Sequence, residues 1–195
     1  MNLLGHLYLS QNESPEARLF NLLGDRFKGR GYTILSTEAQ KGIQMHRAID
    51  HFMDSHPAVA QLKQELSTTL PKVSGIALDI FFDYILASEW PRFHQDSLPD
   101  FLDTFYSTSK KSQKQIPVDY SNWVLSLQEN RYIHRYNHFE SVVAISEHLH
   151  RKLKFKTEIY TAPIIFSKFE SNIRQGFEEY IQDARENFII SRHTW

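Results

Sequence analysis

Little in this chain interrupts a helix. Its 195 residues include only seven glycines and seven prolines, and apolar residues recur at helical spacing over long stretches between them. Glycine and proline are the strongest local breakers, and strands would show short alternating runs bounded by turn residues. The pattern predicts an all-α fold. Some breakers even mark helix starts: Ser14-Pro15-Glu16 offers a hydroxyl cap followed by a first-turn proline. Helices are expected over 2–10, 15–27, 37–54, 57–69, 75–89 with Ser74 as cap, 98–111, 119–135, 138–153 and 164–189. Polar loops are expected at 91–97 and 112–118. The length suits one helical domain, residues 1–190, followed by a tail at 191–195.

Composition narrows the function classes. Hydrophobic residues make up 41% and charged residues 23%, enough for a substantial core. The formal net charge of -1 gives no global basic field, so nucleic acid is not expected as a partner. The absence of cysteine excludes disulfides, thiol nucleophiles, iron–sulfur clusters and cysteine zinc sites. The N-terminal segment has no basic start and carries His6 inside its apolar run, which makes a poor signal peptide. No stretch approaches transmembrane length, so a cytoplasmic protein without membrane association is expected. No P-loop, GxGxxG, GxSxG or HExxH pattern occurs.

Ten histidines are many for this length, and several stand near carboxylates. In Gln44-Met45-His46-Arg47-Ala48-Ile49-Asp50, helical spacing puts His46 and Asp50 side by side on one face. Met53 falls between them in angle and Ile49 flanks them, so both polar groups lie on or beside an apolar arc. Such groups are placed there only when something pairs with them, and a divalent cation is the natural partner. Asp79 and Asp83 form a second i,i+4 pair on a segment that is apolar almost all round. A metal, a metal-bound histidine or an internal arginine such as Arg47 or Arg135 would compensate them. Asn21 and Asp25 form a third pair, in which Gly24 lets another group approach closely; taken alone, Asp25 reads as a solvated helix-end residue, and it gains weight as a ligand beside the other two pairs. His6 lies among Leu3, Leu4, Leu7 and Leu9 and reads as a core histidine or a neutral ligand. His51, His56 and His94 sit near helix ends or polar segments, and His134, His138, His148 and His150 read as surface residues. Arg26, Lys28 and Arg30 follow Asp25 directly, where they could meet a phosphate or an acidic macromolecule.

Taken together, these motifs resemble the acyl carrier protein phosphodiesterases. The likeness runs through Met1-Asn2-Leu3-Leu4-Gly5-His6-Leu7, Asn21-Leu22-Leu23-Gly24-Asp25 with Lys28-Gly29, and Gly42-Ile43-Gln44-Met45-His46-Arg47-Ala48-Ile49-Asp50 with Asp54. It continues through Ala77-Leu78-Asp79 to Asp83, Trp90, and Asn122-Trp123 leading to Arg135-Tyr136; beyond about residue 140 it is mainly helical pattern. The resemblance implies a helical bundle distantly similar to the HD-domain phosphohydrolases. It also implies Mn²⁺-supported hydrolysis of the phosphodiester joining 4′-phosphopantetheine to a serine of holo-acyl carrier protein. HD-domain enzymes carry adjacent His and Asp; here the pair is spaced His46-x-x-x-Asp50, so ligand roles do not transfer directly.

On this reading His6, Asp25, His46, Asp50 and Asp83 form the metal shell. Mn²⁺ or Fe²⁺ suits such a mixed set, with Mg²⁺ weaker. Arg47 and Arg135 would offset phosphate charge, and Asp79 or Asp54 would orient a ligand or accept a proton. The basic turn of Lys28 and Arg30 would dock the small, acidic carrier protein. Two alternatives remain. One is a metal-dependent phosphohydrolase acting on a nucleotide or other small phosphoester. The other is a non-catalytic helical binding module, which requires Asp79 and Asp83 to pair with internal arginines.

Overall fold

The computed structural model describes residues 2–191; the expected tail falls almost wholly outside the described residues. Among these the chain is helical throughout, as its scarcity of breakers requires. The elements are α1 (Leu3–Leu9), α2 (Pro15–Leu22), α3 (Thr37–Ser55), α4 (Pro57–Leu66), α5 (Ser74–Ser88), α6 (Leu98–Gln113), α7 (Val118–Glu129), α8 (Glu140–Lys152) and α9 (Ala162–Arg185).

Helix α5 organises the core. Ala77, Leu78, Ile80, Phe81, Phe82, Ile85, Leu86 and Ala87 are all buried, covering every side of the helix. Helices α1, α4, α8 and α9 pack around it. Helices α2 and α3 form the most intimate pair, and α6 closes on the far side of α2. A Cβ on Gly42 of α3 would stand 2.2 Å from the Ala17 carbonyl oxygen, so only glycine permits this approach of α3 to α2. No helix among the described residues is long and apolar enough to cross a membrane.

Local chemistry sets most boundaries. The Ser14, Ser36 and Ser97 hydroxyls accept from the N–H groups of Ala17, Ala39 and Asp100, capping α2, α3 and α6. Ser74 does not cap α5: Val73 occupies that position without a side-chain bond, after a left-handed Lys72 with φ 66°. The helix expected to reach residue 27 stops at Leu22 and tightens into a 3₁₀ turn, Gly24–Arg26. The segment expected to be helical to residue 135 ends at Glu129, because Arg131 turns to φ 47° before a short 3₁₀ turn, Ile133–Arg135. The last helix bends at Phe169 and widens into a π-turn over Glu186–Ile190.

Candidate metal centre

Three helices deliver the site. Helix α1 starts at Asn2, whose side-chain oxygen accepts from Gly5 N, and it carries His6 inward. Helix α3 presents His46 and Asp50 on one face, one turn apart. The 3₁₀ turn after α2 brings Asp25 alongside. Gly24 makes the last approach work, since a Cβ there would stand 2.1 Å from His46 Cγ.

The two imidazoles stack with centroids 4.2 Å apart and planes 18° from parallel. Both aim Nε2 at the same carboxylate. His6 Nε2 lies 3.1 Å from Asp50 Oδ1, and His46 Nε2 lies 3.2 Å from Asp50 Oδ2 and 3.5 Å from Asp25 Oδ1. His6 and His46 are each 3% exposed, whereas the carboxylates of Asp50 and Asp25 reach solvent. The set His6, His46 and Asp50 can place one ligand atom each within 4.8 Å of one another. An acid-lined cavity of about 220 Å³ opens beside them, bounded by Asn2, Asp25, Asp50, Met53, Asp54 and Asp79.

Electrostatics follow from this crowding. Burial opposes a proton on His6, and the neighbouring His46 adds to that, so its pKa is lowered despite the Asp50 contact. Burial also acts against His46, but Asp25 and Asp50 outweigh it and push its pKa up to about 9. Asp50 is likewise opposed by burial, yet the two imidazoles hold its carboxyl well below the usual range. Asp25 is held low by His46. Asp79, on the cavity wall, is pushed up by burial.

The fit to a divalent cation rests on His46. Both its ring nitrogens are buried and neither has an aligned hydrogen-bond partner, although Nε2 faces two carboxylate oxygens at close range. A cation between the imidazoles and the carboxylates suits that geometry, and mixed imidazole–carboxylate donors suit Mn²⁺ or Fe²⁺.

Not every residue singled out in the sequence meets here. Asp83 is almost fully buried, but its two oxygens accept from Leu4 N at 3.1 Å and Gly5 N at 2.9 Å. Desolvation raises its pKa to about 7, and those two N–H groups pull against the rise. It anchors the start of the helix that carries His6 and takes no internal arginine. Arg47 donates to Phe27 O and Gly29 O and lies over the Tyr32 ring, bracing the loop after Asp25. Arg135 is exposed and lines a separate cavity of about 490 Å³ with Tyr132, Tyr136 and His138. Neither arginine lines the acidic cavity. Lys28 and Arg30 are exposed on the loop that Arg47 braces. Asp54 borders the cavity and pairs with Lys63 at 2.6 Å.

One histidine departs from the sequence reading. The His134 side chain is 4% exposed, covered by Tyr106 and paired with Asp103 at 3.2 Å. His56 sits at the helix end where it was expected, between α3 and α4, buried against Phe52 and Tyr180 and in contact with Asp183 at 3.3 Å. Sequence pairing also missed what Asn21 does. It is fully buried and bonded to His6 rather than acting with Asp25. Its polarity on an otherwise apolar helix face was the available signal.

The family model described as acyl carrier protein phosphodiesterase matches residues 1–184. A protein of that name from Pectobacterium atrosepticum is 30% identical over 176 residues, 90% of this chain and 89% of the relative. One from Yersinia enterocolitica is 31% identical over 137 residues, 70% of each chain. One from Photorhabdus laumondii is 29% identical over 143 residues, 68% of this chain and 72% of the relative. No solved structure matches. A family match over nearly the whole length, on a helical scaffold that unites His6, His46 and Asp50, places this chain in the acyl carrier protein phosphodiesterase family.

Proposed function

We propose that this chain is a metal-dependent phosphodiesterase that releases 4′-phosphopantetheine from holo-acyl carrier protein, leaving the apo-carrier. The observation that carries the metal dependence is the convergence of two buried imidazoles on one carboxylate beside an acidic cavity. The substrate rests on the family's name.

His6, His46 and Asp50 would hold the metal, with Asp25 beside them. Mn²⁺ or Fe²⁺ is the expected ion, Mg²⁺ the weaker one. Bound there, the cation supplies Lewis acidity toward a phosphoryl oxygen and lowers the pKa of coordinated water. The chain's own groups set the rest. Asp50 and Asp25 stay ionised at neutral pH, so they favour a cation in the site. Asp79, whose pKa is pushed up by desolvation on the cavity wall, would orient a ligating group or accept a proton.

Recognition of the carrier falls to the loop after Asp25. Lys28 and Arg30 are exposed there, and Ile34 in the next turn is 90% exposed. Basic groups around an apolar side chain suit a small acidic protein, whereas the cavity itself repels acid. Arg47 ties this loop to the helix carrying His46, linking docking to the metal centre.

The test is to strip the protein with chelator, add holo-acyl carrier protein with and without Mn²⁺, and follow the carrier by intact mass. Loss of the phosphopantetheine mass only with Mn²⁺ supports the proposal. Cleavage of a small generic phosphodiester but not of the carrier would move the substrate elsewhere. Inactivity with every divalent metal in a folded sample would end the enzymatic reading.

A further inference from the structure

Asn21 sits on α2 with no exposed surface, and its amide makes two bonds to one residue. Its Nδ2 donates to the His6 backbone oxygen at 3.1 Å, and its Oδ1 lies 2.9 Å from His6 Nδ1. A backbone carbonyl can only accept, so the first bond fixes which end of the amide faces which way. Oδ1 therefore faces the ring. A carboxamide oxygen can only accept as well, so Nδ1 must carry the proton.

The other ring nitrogen is then determined. In neutral imidazole one nitrogen donates and the other bears the lone pair. With Nδ1 protonated, the neutral ring bears its lone pair on Nε2, 3.1 Å from Asp50 Oδ1; two acceptors at that distance are relieved by a cation between them. We propose that Asn21 is a positioning residue that locks His6 as the Nδ1–H tautomer and thereby presents Nε2 as a metal ligand. The backbone oxygen of His6 has a second donor, the Ser10 hydroxyl at 2.7 Å, so loss of Asn21 does not leave that carbonyl bare. Among the described residues Asn21 is the one side chain that holds Nδ1, so a proton there depends on Asn21, against the pull of the Asp50 carboxylate at Nε2. This inference rests on the metal-centre reading above, but it has a readout that needs no metal.

The experiment uses the full chain, labelled with ¹⁵N-histidine and free of metal, at about pH 8, where the lowered pKa of His6 leaves its ring neutral. Long-range ¹H–¹⁵N correlation reports which nitrogen carries the proton, with His6 assigned by the loss of its signals in His6→Gln. The expected result is Nδ1–H. A neutral Nε2–H ring in the unsubstituted protein overturns the proposal. Mn²⁺ affinity is then measured by electron paramagnetic resonance of the free ion. Asn21→Leu keeps the volume and removes the acceptor; the Mn²⁺ dissociation constant should rise about 10- to 100-fold, the usual cost of losing such a partner. Asn21→Asp keeps an acceptor for Nδ1–H but turns a second acceptor toward the His6 carbonyl. It should unfold at lower temperature and yet bind Mn²⁺ within about threefold of the parent, since the ligand-orienting contact survives. A purely packing role predicts the reverse: affinity unchanged in every variant that folds. If Asn21→Leu does not fold, the tautomer of the parent still decides. A parent protein that shows Nδ1–H but takes up no Mn²⁺ refutes the metal centre while leaving the tautomer lock in place.

Discussion

The molecule buries imidazoles against carboxylates in more than one place, and the His134 pair and the α1–α3 site differ most in what surrounds them. Between α6 and the 3₁₀ turn after α7, His134 meets Asp103 at 3.2 Å, one base to one acid, with Tyr106 stacked over the ring. Burial lowers the His134 pKa against the pull of Asp103, and its Nδ1 is buried without a partner. At the α1–α3 contact, two imidazoles meet one carboxylate, a second carboxylate stands behind, and two more line the space beside them. Acids there outnumber bases, and His46 has no aligned partner at either nitrogen. A buried His–Asp contact is therefore a weak sign of function. An excess of carboxylate around two buried imidazoles, beside an open cavity, is a stronger one, because a cation can complete such a set.

The largest expected effect separates the two regions directly. His46→Ala or Asp50→Ala should lower the rate on the carrier by about a thousandfold or more, since a metal site supplies several kcal/mol of transition-state stabilisation, with helicity by circular dichroism unchanged. Retained turnover in both would put the α1–α3 site on the same footing as the His134 pair. His134→Ala should leave kcat within about twofold and lower stability by about 1–2 kcal/mol, the ordinary cost of losing packing and one hydrogen bond. A large loss of kcat in that variant would mean the second pair also serves the reaction.

The pH dependence of stability sharpens the comparison further. The folded pKa of His46 is about 9, above the 6.5 of an unfolded chain. Its contribution is therefore fully present below about pH 6.5 and is lost as pH rises through about 9. Metal-free protein should lose melting temperature across that window, and His46→Gln should flatten the slope. His134, shifted the other way, should contribute no such loss. The smallest effect lies at the rim. Reversing both Lys28 and Arg30 to Glu should raise KM by about tenfold and weaken its salt dependence, with kcat nearly unchanged, as expected for exposed steering charges. An unchanged KM would remove this loop from docking.

What was legible in the sequence was what is local. The His46–Asp50 pair is read from spacing alone, because an α-helix brings i and i+4 together whatever the rest of the chain does. Helix caps at Ser14, Ser36 and Ser97 act over three residues. The burial of α5 follows from apolar residues on all its faces. Boundaries failed where one residue turned the backbone, at Lys72 and Arg131, neither of which is a residue type that announces a left-handed turn.

The roles of the acids and arginines were not legible, because each depends on a neighbour far along the chain. Asp83 has the composition of a ligand, but its position across from the start of α1 commits its oxygens to two backbone N–H groups. Arg47, next to His46 in sequence, points a third of a turn away and holds the loop at Phe27 and Gly29. By itself the sequence determined an all-helical chain, its family and the one-turn pair on α3. Only the tertiary structure decided that His6 stacks on His46, that Asn21 holds His6, and that Asp83 supports α1. Helical periodicity fixes angles within one helix, whereas those contacts depend on how separate helices pack against one another.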